Sequence, residues 1–146
     1  MSMDEPRSDS PEDALPHEAL AGRRVLVVED SPVVAEAADD MLRDMGCLVV
    51  GPATTMAPAL EMAGGEPLDA AIVDLNIRGG KAFPVLRILR DRSIPFLLTS
   101  GYADWSMPED WQDVPRLAKP YTPNQLREGL LNLLESEAGS SGASPA

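Results

Sequence analysis

A single cysteine in 146 residues, Cys47, leaves nothing to pair with in a disulfide and too few thiolates for a zinc site. An ordinary core in a reducing compartment must therefore hold the fold. Basic residues are scarce: 12 Lys and Arg stand against 24 Asp and Glu, a formal charge of −12. The few cations are scattered, and the clustered Lys and Arg that a phosphate backbone requires are missing, which excludes nucleic acid as a partner. No apolar run approaches the ~18 residues of a membrane helix. Residues 1–16 carry acids and prolines where a secretory signal would need basic and then apolar residues, so a soluble, cytoplasmic protein without a membrane segment is expected. Proteins and cations remain as partners.

The excess acid is uneven. Asp4, Glu5, Asp9, Glu12, Asp13 and Glu18 face only Arg7 near the start, so residues 1–21 read as a disordered acidic arm with little to bury. Residues 138–146, rich in Gly and Ser, read as a flexible tail. Between them, residues 22–137 make one domain, with no internal repeat and no room for a second.

Within that domain, short apolar runs alternate with helical patterns. Val25 to Val28 is an unbroken apolar run ending in acid, the pattern of a strand covered on both faces. Ser31 and Pro32 supply a cap and a first-turn residue for a helix to about Met45, with Val33, Val34, Ala37, Ala38, Met41, Leu42 and Met45 on one broad face. Strands are expected at 47–50, 69–74, 95–99 and 114–118, and helices at 56–63, 81–92 and 122–134. Residues 103–113, with two tryptophans, Pro108 and several acids, fit neither pattern cleanly. Such alternation predicts a flavodoxin-like α/β fold: a five-stranded parallel sheet with helices on both faces, order 2-1-3-4-5.

Ligands of such folds bind at the carboxyl ends of the strands. There the sequence places Glu29-Asp30, Asp74, Thr99-Ser100-Gly101 and Lys119-Pro120. Each feature is ordinary alone, as a cap, a turn residue or a surface charge. Together they set three carboxylates at one edge, which would raise one another's pKa unless a cation neutralised them. Mg2+ suits a site of few carboxylates with retained waters and a phosphate oxygen.

The segments Val25-Leu26-Val27-Val28-Glu29-Asp30-Ser31, Ala71-Ile72-Val73-Asp74-Leu75-Asn76 and Ala118-Lys119-Pro120-Tyr121 resemble the CheY-like receiver domain of response regulators, over about residues 23–135. Pro95-Phe96-Leu97-Leu98-Thr99-Ser100-Gly101-Tyr102 is similar to a signature, Pro-Phe-x-Phe-Ala-Thr-Gly-Tyr, of small alphaproteobacterial single-domain receivers, with Leu98, Thr99 and Ser100 as departures. The resemblance implies that Asp74 takes a phosphoryl group from a phosphohistidine on a histidine kinase or histidine phosphotransfer protein. It further implies that Asp30, Asp74 and the backbone carbonyl of Asn76 hold Mg2+, with Glu29 direct or through water, and that Lys119 and the Ser100 hydroxyl contact the phosphoryl oxygens. Ser100 and Tyr102 become switch and output positions. Arg116 stands where the usual receiver has an aromatic switch residue.

Two residues tune the phosphorylated lifetime on this reading. Asn76 can orient an attacking water and Tyr102 can shield it. Output would pass by protein–protein interaction or onward phosphotransfer, through a signalling domain rather than an enzyme in the turnover sense. Two alternatives differ in chemistry. A haloacid-dehalogenase-like phosphohydrolase needs its nucleophile after the first strand and an Asp two residues on, where this chain has Asp74 after the third and Asn76. A phosphorylation-independent pseudo-receiver would not need Asp30, Asp74, Ser100 and Lys119 together.

Overall fold

Alternation within the strands divides the core in two. In the computed structural model, which describes residues 19–101 and 107–143, β1 (Arg24–Val28) sends Leu26 and Val28 to one face and Val25 and Val27 to the other. β3 (Ala70–Asp74) divides Ala71 and Val73 from Ala70 and Ile72 in the same way, and β6 (Phe96–Ser100) divides Phe96 and Leu98 from Leu97. With β2 (Leu48–Ala53) and β7 (Arg116–Ala118) these strands form a parallel sheet in the order β2-β1-β3-β6-β7. That is 2-1-3-4-5 once the two-residue strands β4 (Asn76–Ile77) and β5 (Gly80–Lys81), which pair only with each other, are set aside. The flavodoxin-like expectation holds.

Helices cover both faces. α2 (Met56–Gly65) and α3 (Phe83–Asp91) bury Ala59, Ala63, Val85, Leu86 and Leu89 on one side. α1 (Pro32–Asp44) and α4 (Pro123–Ala143) bury Ala38, Leu42, Leu126, Leu130 and Leu133 on the other. The Ser31 side chain accepts from the Val34 amide at 3.4 Å with Pro32 next, as the cap signal implied.

Several expectations need correction. Val33, placed on the apolar face of α1, is 77% exposed. The buried stripe runs through Ala35, Ala38 and Leu42, and two residues before Ala35 lies on the far side of a 3.6-residue period. β2 begins at Leu48 and runs on to Ala53 rather than ending at Val50. α4 continues to Ala143, past Leu134, since no proline intervenes before Pro145. The helix expected from Lys81 starts instead at Phe83, because Lys81 is taken by the antiparallel hairpin with Asn76 that the Arg78-Gly79 turn permits. Gly79 is required there: its φ is +106°, and a Cβ would stand 2.8 Å from Met56 Cβ.

Residues 107–113 carry a short 3-10 turn, Glu109–Trp111. Trp111 is buried and stacks on Phe83 with centroids 6.0 Å apart, while the Arg90 guanidinium lies 4.1 Å from its ring centre. This tryptophan is a packing residue. Tyr102 and Trp105 lie outside the described residues.

Candidate functional site

Register determines which side chains meet. Val28 pairs with Val73 and Asp74 with Thr99, so the residues that follow emerge at one carboxyl edge. Glu29 and Asp74 are each 3% exposed and Ser100 is fully buried. Glu29, Asp30 and Asp74 each offer a carboxylate oxygen within 4.8 Å of the others. Lys119 reaches in from the end of β7, its amide bonded to the Ser100 carbonyl at 3.0 Å. Its Nζ donates to Glu29 Oε1 and Oε2 at 3.2 and 3.3 Å and to Asp74 Oδ2 at 3.2 Å. Glu29 Oε2 also accepts from the Ser31 amide at 3.1 Å.

The sequence thus brought together Glu29, Asp30, Asp74, Ser100 and Lys119. It did not show that Lys119 bridges two of the acids. Asn76 flanks the cluster, its amide donating to Asp74 Oδ1 at 3.4 Å. Arg116 sits on β7 opposite Leu98, and its Nη2 donates to the Gln112 carbonyl at 2.7 Å, tying the strand to the preceding turn. Tyr121 was not singled out. It lies close enough to the acids that burial, and then the charges of Glu29 and Asp74, push its phenol up to about 12. Its signal was only its place after Lys119-Pro120.

One ammonium cannot balance the acids. Burial, and next the neighbouring Glu29, push Asp74 up to about 6 against the pull of Lys119. Burial alone would lower Lys119, but Asp74 and Glu29 outweigh it and hold the ammonium above its ordinary range. Two further observations fit a divalent ion with a phosphoryl group. The donor set is hard oxygen with unbalanced negative charge, and the buried Ser100 Oγ has no hydrogen-bond partner among the described residues. Ser100→Ala should therefore leave the resting protein within about 1 kcal/mol of wild type in urea unfolding, since it removes a hydroxyl that bonds none of the described residues. A loss well beyond that would mean the hydroxyl is already satisfied.

A doubly covered parallel sheet with acids, a hydroxyl and a lysine at its carboxyl edge is a flavodoxin-like α/β domain with a charged ligand edge. Residues 25–131 match the response regulator receiver domain family, to which the chain belongs. No curated protein matches. Among solved structures, SdrG from Sphingomonas melonis Fr1 is 37% identical (TM-score 0.69), covering 79% of this chain and 98% of that one. The receiver domain of the sensor histidine kinase PA1611 from Pseudomonas aeruginosa PAO1, which has a magnesium ion coordinated in its active site cleft, is 24% identical (TM-score 0.69), covering 79% and 99%. The response regulator PhyR from Brucella abortus is 24% identical (TM-score 0.72), covering 91% of this chain and 57% of its own. Among the described residues no helix is long and apolar enough to cross a membrane.

Proposed function

We propose that the chain is a phosphoacceptor: Asp74 receives a phosphoryl group from a phosphohistidine donor, and the altered site signals to a protein partner or passes the group on. The observation that carries this reading is the buried Asp74 carboxylate bonded to Lys119, whose own amide bonds the carbonyl of Ser100, a residue with a buried hydroxyl that has no hydrogen-bond partner among the described residues. SdrG also has a structure in a BeF3-activated conformation, at 38% identity, which supports the same chemistry here.

An Asp74 oxygen forms the new bond to phosphorus as the donor's N–P bond breaks, the electron pair returning to the imidazole nitrogen, which takes up a proton. The transition state spreads its charge over three oxygens, so placement and positive charge supply most of the catalysis. Lys119 exchanges a carboxylate for a phosphoryl oxygen, and Ser100 donates to another. Asp30, Asp74 and the Asn76 carbonyl would hold Mg2+, with Glu29 direct or through water. The ion, when bound, neutralises carboxylates and phosphoryl oxygens. Phosphorylation replaces the single carboxylate charge of Asp74 with an acyl phosphate carrying up to two, a net gain of about one negative charge, and gives Ser100 an acceptor, a local change for a partner to read.

A surface for the donor is offered by a groove that Lys119, the partner of Asp74, helps to line. This apolar groove of about 370 Å³ is lined by Val33, Val34, Ala37, Met41, Pro120 and Tyr121, together with Lys119. A protein presenting a phosphohistidine to Asp74 would lie across it, covering Val33. Val33→Asn, neutral and at an exposed position, should slow transfer from a phosphohistidine protein by roughly tenfold, the value of burying one such side chain. Phosphorylation by acetyl phosphate should stay unchanged. Equal slowing with both donors would place the defect in the site rather than the groove.

A further inference from the structure

The hairpin of β4 and β5 was not expected, and it sets the surroundings of Asn76. Asn76 and Lys81 are cross-strand partners, and Lys81 Nζ donates to Asn76 Oδ1 at 2.6 Å. The hairpin is fixed at both ends. At its base the Ala82 amide bonds the Leu75 carbonyl at 2.8 Å, and at its tip the Met56 amide bonds the Arg78 carbonyl at 3.1 Å, with Ile77 buried between. Asn76 is therefore held beside Asp74, with its carboxamide oxygen drawn toward an ammonium.

That matters for hydrolysis of a phosphorylated Asp74. A water attacking phosphorus directs a lone pair at it and needs acceptors for its two protons. Within a carboxamide only the carbonyl oxygen accepts; the NH2 end donates. An ammonium on that oxygen occupies it and weakens it as an acceptor for the water. We propose that Lys81 is a positioning residue that prolongs the phosphorylated state by holding Asn76 Oδ1 back from the hydrolytic water. This rests on Asp74 being the phosphoacceptor. In the hydrolytic step the water oxygen bonds to phosphorus and the Asp74 O–P bond breaks. Its electron pair returns to the carboxylate, and a water proton leaves with the phosphate or to solvent.

The test uses the full chain, phosphorylated with acetyl phosphate and Mg2+, freed of donor, and followed by intact mass. Lys81→Met should shorten the lifetime by roughly three- to tenfold, the effect of freeing one orienting hydrogen bond. Lys81→Arg, which keeps a donor and a charge, should stay near wild type. In an Asn76→Ala background Lys81→Met should have no further effect, which a merely structural role would not produce. An unchanged or longer lifetime in Lys81→Met overturns the proposal. So does an equal acceleration with Asn76 absent, because Lys81 would then act on the phosphoryl group itself. If Asn76→Ala holds no phosphoryl group, the contrast between Lys81→Met and Lys81→Arg decides alone. Wild type that gains no phosphoryl mass removes the parent reading as well, whereas the other failures remove only the role of Lys81.

Discussion

Asp74→Asn is expected to stabilise the protein at pH 7 in the absence of divalent ions, by about 1–3 kcal/mol. The carboxyl is pushed up to about 6 in the folded protein by burial and by Glu29, against an ordinary value near ~3.9 in an unfolded chain. A folded state that holds a proton more tightly than the unfolded state gains stability where that proton is bound. The contribution is greatest below about pH 4, fades as pH rises through about 6, and is absent above. At pH 7 wild type therefore carries an ionised Asp74 at a cost that a bound cation would offset. The amide removes the cost while leaving Lys119 its bonds to Glu29. Thermal unfolding from pH 4 to 8 should show the variant's advantage growing toward neutrality, and Mg2+ should raise the wild-type midpoint far more than the variant's. A variant less stable than wild type at pH 7 would mean that the Lys119 contact more than offsets desolvation.

Lys119→Met should have the opposite effect. It strips the shared cation from two carboxylates that are each 3% exposed. Removing one member of a buried ion pair costs about 3–5 kcal/mol when the remaining charge has no escape. Here Asp74 can take up a proton once the lowering influence of Lys119 is gone, so a loss of about 2–4 kcal/mol at pH 7 is expected, shrinking as pH falls. Mg2+ should recover much of it and bind more tightly than to wild type, having no ammonium to displace. Phosphoryl transfer should nonetheless fall by about 10²–10³, because a fixed positive charge on the transferring group is lost. Unchanged stability without Mg2+ would indicate that Lys119 does not bridge the acids in solution.

Much of this was legible in the sequence, and the reasons are particular. Val25 to Val28 and Ala70 to Val73 are buried on both sides, so their unbroken apolar character announced a doubly covered parallel sheet. The ligand edge followed from topology, and Glu29, Asp30, Asp74, Ser100 and Lys119 could be placed there because each ends or follows a strand. What escaped depended on pairing rather than on pattern. The hairpin joining Asn76 to Lys81 is two residues per strand, too short for any periodicity, with Gly79-Gly80 as its only mark. Val33 looked like core because α1 is apolar over a wide arc, and only the helix's rotation against the sheet shows it pointing outward. The bridging by Lys119 and the rise of Asp74 and Tyr121 come from three-dimensional charge density, which no linear spacing encodes.

The most direct measurement is intact and peptide-resolved mass spectrometry of the full chain after incubation with Mg2+ and a phosphohistidine donor or acetyl phosphate. One phosphoryl group per chain, located on Asp74, missing without Mg2+ and missing in Asp74→Ala, is the expected result. An unmodified wild-type protein under those conditions, or a phosphoryl group that persists in Asp74→Ala, would contradict the assignment.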